Sequence, residues 1–130
     1  MKTDHIGYLV KNIEKSVKYF SDLGFQKEGE VVYDPLRDID ILFMTNDGYR
    51  VELVAPRSEN SVVNSLYKKI GTSPYHICYC CDDIEEARNE LREKGFVPVN
   101  ESMPAVAFGN RNVCFLFNRN VGIIELVENQ

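Results

Sequence analysis

The sequence predicts an α+β fold in which two tandem βαβββ modules form a cupped mixed sheet. In the first part of the chain, the spacing of apolar residues indicates a strand, a helix and then three strands. The same order recurs in the last part, and a histidine stands at the start of each copy. We therefore expect a first module at 1–56, a helical bridge at 57–74 and a second module at 75–130, all within one compact domain.

The first module has recognisable starts and stops. Residues 4–11 alternate as a strand does, with Ile6 and Tyr8 on one face and His5 and Gly7 on the other. Asn12 is a suitable N-cap for a helix that Gly24 would end. The three strands that follow are expected at 25–33, with a possible bulge at Gly29, and at 39–44 and 49–54, with a hairpin turn at 46–48.

The bridge and the second module follow from similar signals. We expect a bridge helix at 59–70 with an apolar side made of Val62, Val63, Leu66 and Ile70. In the second module, Asp82 and Asp83 can cap a helix that begins at Ile84. Strand structure is then expected at 97–100, irregular or short strand at 103–109, and a final hairpin at 112–117 and 122–128.

The two copies match closely in sequence. A shift of 71 residues places His5 on His76 and continues without a gap to Phe25 on Phe96. Near the end of each copy the shift becomes 73, and Glu52 then lies over Glu125. Shared amphipathic patterning would explain the apolar matches, but it does not fix polar residues such as these. The matches therefore favour a true duplication.

Composition excludes several classes of function. The formal net charge is −5 with charges of both signs interspersed, so the chain lacks the basic surface that nucleic-acid binding requires. It has no apolar run of membrane-spanning length and no signal peptide, so we expect no membrane partner and a cytoplasmic location. Cys78, Cys80 and Cys81 crowd one predicted strand, which suits reduced thiols better than a disulfide framework.

The duplication brings together two histidines and two glutamates. His5 and His76 open the first strands, and Glu52 and Glu125 lie in the last strands, which should run close by. Two imidazoles and two carboxylates are typical ligands of a divalent transition metal. Taken singly, each histidine could be an ordinary core-edge residue and each glutamate could face solvent. Because the positions recur in both copies, we predict a metal site at His5, Glu52, His76 and Glu125.

At this point the chain resembles the vicinal oxygen chelate superfamily, which includes glyoxalase I, methylmalonyl-CoA epimerase, extradiol dioxygenases and the fosfomycin- and bleomycin-resistance proteins. The resemblance spans essentially the whole chain. It rests on DHIG at 4–7, VELVAP at 51–56, YHIC at 75–78 with DDI at 82–84, and GNR at 109–111 running to IIEL at 123–126. The family's metal ligands correspond to the four residues of the predicted site.

The resemblance implies a reaction type. A divalent ion, with Ni²⁺ or Co²⁺ preferred and Zn²⁺, Mn²⁺ or Fe²⁺ as alternatives, would acidify a C–H bond beside a carbonyl by stabilising an enediolate. Glu125 is the first choice for the base, and Glu52 is a ligand and a possible second acid or base. Asp40 is a weaker candidate for an additional base. Arg57, Asn110 and Arg111 are candidates for binding an anionic substrate.

The resemblance leaves the substrate open. The main prediction is a lyase of the glyoxalase I (lactoylglutathione lyase) type acting on a hemithioacetal, because a glutamate in the second ligand position matches the nickel-type glyoxalases. The alternative is an isomerase of the methylmalonyl-CoA epimerase type acting on a thioester, which the stretch from Ser61 to Cys78 favours. A second alternative is a non-enzymatic binding or resistance protein, which needs no metal. The resemblance also implies a homodimer.

Overall fold

The structure, a computed structural model, describes all 130 residues. Two compact units make up the chain. The N-terminal unit comprises Ile6–Pro74, and the C-terminal unit comprises Met1–His5 together with Tyr75–Gln130. These units are defined by which residues contact each other, and one of them joins two separate stretches of the chain. The division into modules at 1–56 and 75–130 with a bridge at 57–74 therefore stays a prediction.

Nine strands and three helices follow the predicted order. The strands are β1 (Lys2–Leu9), β2 (Gln26–Asp34), β3 (Ile39–Asn46), β4 (Tyr49–Pro56), β5 (Ser73–Cys81), β6 (Val97–Pro98), β7 (Met103–Ala105), β8 (Arg111–Asn118) and β9 (Gly122–Glu128). The helices are α1 (Ile13–Asp22), α2 (Asn64–Ile70) and α3 (Ile84–Glu93), and a 3₁₀ turn spans Val106–Phe108. None of the helices is long and apolar enough to span a lipid bilayer.

The N-terminal unit is a four-stranded mixed sheet covered by α1. Its strand order is β2-β3-β4-β1, and β1 runs parallel to β4 while the other pairs are antiparallel. The Asn12 side chain accepts the Lys15 N–H at 2.9 Å and so caps α1 as predicted. Apolar residues of β3 and β4 pack under α1, and Tyr8 and Phe20 join them with their rings edge to face.

The C-terminal unit repeats this arrangement. Its strand order is β5-β9-β8-β6, with β7 also on β8, and β5 runs parallel to β9. The Asp83 side chain caps α3 by accepting the Glu86 N–H at 2.9 Å. Tyr79 packs in the core beneath α3, as Tyr8 does beneath α1. The predicted α+β fold with two βαβββ patterns and mixed strand pairing is confirmed.

The bridge helix differs from the prediction. It begins at Asn64 rather than at residue 59, and two of its four predicted apolar-side residues, Val62 and Ile70, are exposed. Serine side chains explain the late start. The Ser58 hydroxyl accepts the Asn60 N–H at 3.1 Å, and the Ser61 hydroxyl accepts the Val63 N–H at 3.3 Å. These local bonds compete with helical hydrogen bonds.

The strand expected at 97–100 is also shorter, because only Val97–Pro98 pairs regularly with β8. Beyond it, the Asn100 side-chain oxygen accepts the Phe115 N–H at 2.9 Å and takes the place of a backbone carbonyl. The register of β2 on β3 shifts between Glu28 and Val32, a stretch that contains Gly29, where the sequence predicts a bulge.

Candidate metal centre

The parallel pairing of β5 with β9 sets the position of Glu125. In this register Glu125 of β9 lies opposite Cys78 of β5. Cys78 is two residues beyond His76 on β5. Because side chains at i and i+2 share a face, Glu125 and His76 point to the same side of the sheet. Both are buried, as is His5 from β1.

Three of the four predicted ligands meet in the C-terminal unit. The Glu125 Oε1 atom lies 3.2 Å from the Nε2 atom of His5 and 3.2 Å from the Nε2 atom of His76. The two Nε2 atoms are 3.3 Å apart. Each residue therefore turns one ligand atom toward a common point.

The spacing of these atoms fits a divalent ion. Two ligand atoms about 2.1 Å from one ion lie about 3.0 Å apart at right angles and about 3.4 Å apart at tetrahedral angles. The observed separations of 3.2–3.3 Å fall within this range. Two imidazole nitrogens and one carboxylate oxygen are also ligands that Ni²⁺, Co²⁺, Zn²⁺ and Fe²⁺ accept.

The state of His5 adds to this fit. Its Nδ1 atom lies 2.7 Å from the Asp4 Oδ2 atom. A carboxylate can only accept a hydrogen bond, so Nδ1 donates, and in the neutral ring Nε2 then has a lone pair. That lone pair faces the Glu125 carboxylate, an arrangement that is repulsive unless a cation or proton lies between them.

The imidazoles also control the ionisation of Glu125. In the metal-free protein a proton on the imidazoles can take the place of the cation. Burial by itself raises the pKa of Glu125, but hydrogen bonds and charge from the protonated His5 and His76 rings outweigh burial and lower that pKa to about 2. Glu125 is therefore a carboxylate at neutral pH, as a metal ligand or a base must be.

Aromatic rings enclose the two histidines. The ring of Phe108 stacks on His5 with centroids 5.6 Å apart, while Tyr75 and Phe115 meet His76 edge to face at 4.4 and 5.3 Å. No pattern in the sequence predicts that these rings surround the histidines. Only Tyr75 could have been found from the sequence, as the neighbour of His76, because the other two reach the site through strand pairing and a 3₁₀ turn.

Glu52, the fourth predicted ligand, belongs to the N-terminal unit. It lies on β4 opposite Gly7 of β1 and opposite Phe43 of β3, and it is buried. Asp40 points elsewhere, because it shares a sheet face with Leu42 and Met44, which pack beneath α1. The weaker suggestion of Asp40 as a base is therefore wrong: alternation separates two faces but does not tell which one holds the site.

The three predicted anion-binding residues lie in different settings. Arg57 is exposed, stacks over the Tyr33 ring at 4.1 Å and lies 3.7 Å from an Asp40 oxygen. Arg111 donates from Nε and Nη1 to the backbone carbonyls of Phe108 and Glu128, each at 3.0 Å. Asn110 is exposed in a turn with φ of 64°. Their roles in substrate binding stay predictions.

Four thiols are present and no disulfide joins them, as predicted. Cys78 is buried on the face of His76, and its sulfur lies within 4.8 Å of ligand atoms of Asp4 and His5. Cys80, on the same face but partly exposed, donates to the Asp4 Oδ1 atom at 3.8 Å. Burial, followed by the nearby Asp4 carboxylate, raises the pKa of Cys80, so its thiol stays protonated and able to donate.

Comparison with known families identifies the class. A family model described as the Glyoxalase/Bleomycin resistance protein/Dioxygenase superfamily matches residues 4–115. The chain belongs to this superfamily, which confirms the resemblance seen in the sequence.

Particular relatives narrow the comparison. The ethylmalonyl-CoA/methylmalonyl-CoA epimerase of Cereibacter sphaeroides is 25% identical over 116 residues, which cover 88% of this chain and 87% of that protein. Among solved structures, a hypothetical protein from Bacillus halodurans superimposes with a TM-score of 0.87 at 28% identity, covering 99% of this chain and 94% of that one. Methylmalonyl-CoA epimerase from Mycobacterium tuberculosis gives a TM-score of 0.84 at 23% identity, covering 99% and 88%. The named relatives favour the epimerase alternative and give the glyoxalase I prediction no specific support.

Proposed function

We propose that this protein is a divalent-metal-dependent epimerase that inverts the α-carbon of a 2-alkylmalonyl thioester of coenzyme A. The observation on which the proposal rests is the convergence of the His5, His76 and Glu125 ligand atoms at 3.2–3.3 Å inside an aromatic enclosure. The similarity to the ethylmalonyl-CoA/methylmalonyl-CoA epimerase supports the substrate class.

The repeated register supports Glu52 as the fourth ligand. In the C-terminal unit, a glutamate opposite the residue two beyond His76 reaches that histidine at 3.2 Å. On β1, Gly7 is two residues beyond His5, and Glu52 lies opposite Gly7 in the N-terminal unit. The offset between histidine and glutamate is therefore the same in both copies. Glu52 is also buried, and removing a carboxylate from water costs free energy. This cost argues that the carboxylate has a function.

The proposed metal would act as a Lewis acid toward the thioester carbonyl oxygen, on which negative charge develops when the α-proton leaves. The other tasks fall to side chains of the chain itself. Glu125, ionised at neutral pH, accepts the α-proton. Inversion requires that a proton return to the opposite face of the carbon, and Glu52, the counterpart of Glu125 in the repeat, is the proposed donor.

The surroundings of the site suit this chemistry. The rings of Phe108, Tyr75 and Phe115 limit the access of water to the histidines, which strengthens the electrostatic interactions of the carboxylate. We propose that the guanidinium groups of Arg57 and Arg111, with the Asn110 side chain, contact the anionic groups of the thioester.

A proton-exchange assay tests the proposal. Protein loaded with Co²⁺ or Ni²⁺ is incubated in D₂O with one epimer of methylmalonyl-CoA, and deuterium at the α-carbon and the epimer ratio are followed together. We expect both to change at rates that depend on the metal and stop when a chelator removes it. No exchange by metal-loaded protein would overturn the epimerase assignment.

The same preparation is assayed with the methylglyoxal–glutathione hemithioacetal, because Glu52 in the second ligand position matches the nickel-type glyoxalases. Turnover of the hemithioacetal alone would replace the epimerase by the glyoxalase I type. If calorimetry detected no binding of either metal, the non-enzymatic binding protein would replace both.

A further inference from the structure

We infer that Asp4 is a positioning residue that holds His5 in the tautomer and orientation needed to bind a metal ion. The inference rests on the proposed function in one respect, namely that His5 is a metal ligand. It assigns a task to a residue outside the proposed ligand set.

The geometry on the two sides of the His5 ring supports this inference. On one side, Nδ1 donates to the Asp4 carboxylate at 2.7 Å, a short bond of the charge-assisted kind. On the other side, Nε2 points at the Glu125 oxygen and the His76 nitrogen, at 3.2 and 3.3 Å. Because Asp4 fixes the proton on Nδ1, the lone pair is fixed on Nε2, where the other ligand atoms converge.

Asp4 is itself held in place. While Oδ2 bonds to His5, the other oxygen, Oδ1, accepts the Cys80 thiol at 3.8 Å. Its side chain is only 21% exposed, so water screens the Asp4–His5 interaction incompletely. A fixed negative charge behind the imidazole makes Nε2 more basic and hence a better ligand.

Comparison of the two copies shows that only one of the two histidines is preceded by a carboxylate. The shift of 71 that places His5 on His76 places Asp4 on Tyr75. The ring of Tyr75 packs edge to face against His76 with centroids 4.4 Å apart, so an aromatic contact stands where the first copy has a carboxylate. Loss of Asp4 should therefore act on His5 first and reach His76 only through the contact between the two Nε2 atoms.

The first test needs no metal. Long-range ¹H–¹⁵N correlation NMR of the metal-free protein, at a pH where the imidazoles are neutral, reports which nitrogen of each histidine holds the proton. We expect Nδ1–H for His5 in the wild type and in Asp4→Asn, whose amide oxygen still accepts. In Asp4→Ala we expect a shift toward Nε2–H, because Nε2 can then donate to the Glu125 carboxylate 3.2 Å away. An unchanged Nδ1–H signal for His5 in Asp4→Ala would overturn the inference.

The second test measures metal affinity by calorimetric titration with Co²⁺. Loss of such an outer partner weakens metal binding roughly 10–100-fold, so we expect that loss for Asp4→Ala and a smaller one for Asp4→Asn. Asp22→Ala, which removes an exposed carboxylate of the N-terminal unit, is the matched control and should bind as the wild type does. Thermal unfolding of the metal-free variants separates loss of positioning from loss of fold.

The two proposals fail in different ways. If the wild type binds no Co²⁺, the proposed function fails, and the NMR result still decides whether Asp4 fixes the His5 tautomer. If the wild type binds Co²⁺ and Asp4→Ala binds it within about twofold of the wild-type affinity, the inference about Asp4 is wrong and the proposed metal site stands.

Discussion

The Glu125 carboxylate touches both histidines, and a glutamine of the same size would keep its volume without its charge. We expect Glu125→Gln to lower the rate of α-proton exchange by about 10²–10⁴-fold, the usual contribution of a general base. Deuterium incorporation measures the rate, and far-UV circular dichroism checks the fold.

The assay of Glu125→Gln is run at saturating metal, with bound metal measured in the same sample. Glu93→Gln, on the exposed end of α3, is the control. Wild-type exchange by the metal-loaded variant would refute the base assignment.

The lowered pKa of Glu125 also predicts how acid affects the metal-free protein. Because the folded-state pKa of about 2 lies below the ordinary value of 4.5, ionised Glu125 stabilises the fold above pH 4.5, and this contribution disappears as the pH falls toward 2. Urea unfolding of the wild type and Glu125→Gln in this acid range measures it. We expect the unfolding free energy of the wild type to fall relative to that of the variant. A difference independent of pH would mean that the histidines do not lower this pKa.

At the level of single residues, the sequence predicted which polar side chains converge better than it predicted their surroundings. His5, His76 and Glu125 could be found because the duplication repeats them at matching positions. Asp4 could not be assigned a task, since neighbouring side chains on a strand point to opposite faces and alternation therefore gives no reason for it to reach His5. Phe108 lies on a 3₁₀ turn, where no periodic pattern predicts the direction of a side chain.

The ends of α1 and α3 provide a matched pair of elements. Gly24 and Gly95 follow these helices with φ of 103° and 99°, a backbone conformation that residues with a side chain rarely adopt. A Cβ atom at Gly24 would meet Asn46 side-chain atoms at 3.3 Å, whereas at Gly95 the nearest atom, from Asn118, is 3.9 Å away. We expect each change to alanine to cost about 1–3 kcal/mol, and Gly24→Ala to cost more.

Chemical denaturation measures both costs. Adding Asn46→Ala to Gly24→Ala removes the close contact but also the hydrogen bond from Asn46 to the Leu23 carbonyl, which the single variant Asn46→Ala measures separately. A double-mutant cycle then isolates the steric part. Equal costs at Gly24 and Gly95 would show that backbone strain alone determines them.

Prediction of the elements depended on whether local signals agreed with each other. The caps Asn12 and Asp83 and the glycines after both helices agree with the apolar spacing, and these helices form where expected. In the bridge, helical spacing competes with serine side chains that bond to nearby backbone groups, and the serines delay the helix to Asn64. The outcome of this competition depends on the backbone geometry of the folded chain, and the spacing of apolar residues in the sequence does not predict that geometry.

At the scale of the whole molecule, the duplication predicts a fold that no single element could predict. The parallel pair β1 with β4 recurs as β5 with β9, and in both a glutamate lies opposite the residue two beyond the histidine.

The homodimer implied by the resemblance stays a prediction. Sedimentation velocity tests it, with a species of twice the chain's mass expected across the working concentrations and a species of single-chain mass as the contrary result.

Metal binding should also stabilise the whole molecule, because the ligands come from strands distant in sequence and the unfolded chain does not hold them together. A ligand at 100 times its dissociation constant stabilises a folded protein by about 2.7 kcal/mol. We therefore expect Co²⁺ or Ni²⁺ at such an excess to raise the melting temperature of the metal-free protein and a chelator to reverse the rise. His76→Asn should lose most of this effect, while the control Glu93→Gln should keep it. An equal rise in His76→Asn would place the bound metal elsewhere in the chain, since the proposed site cannot lose an imidazole ligand without losing affinity.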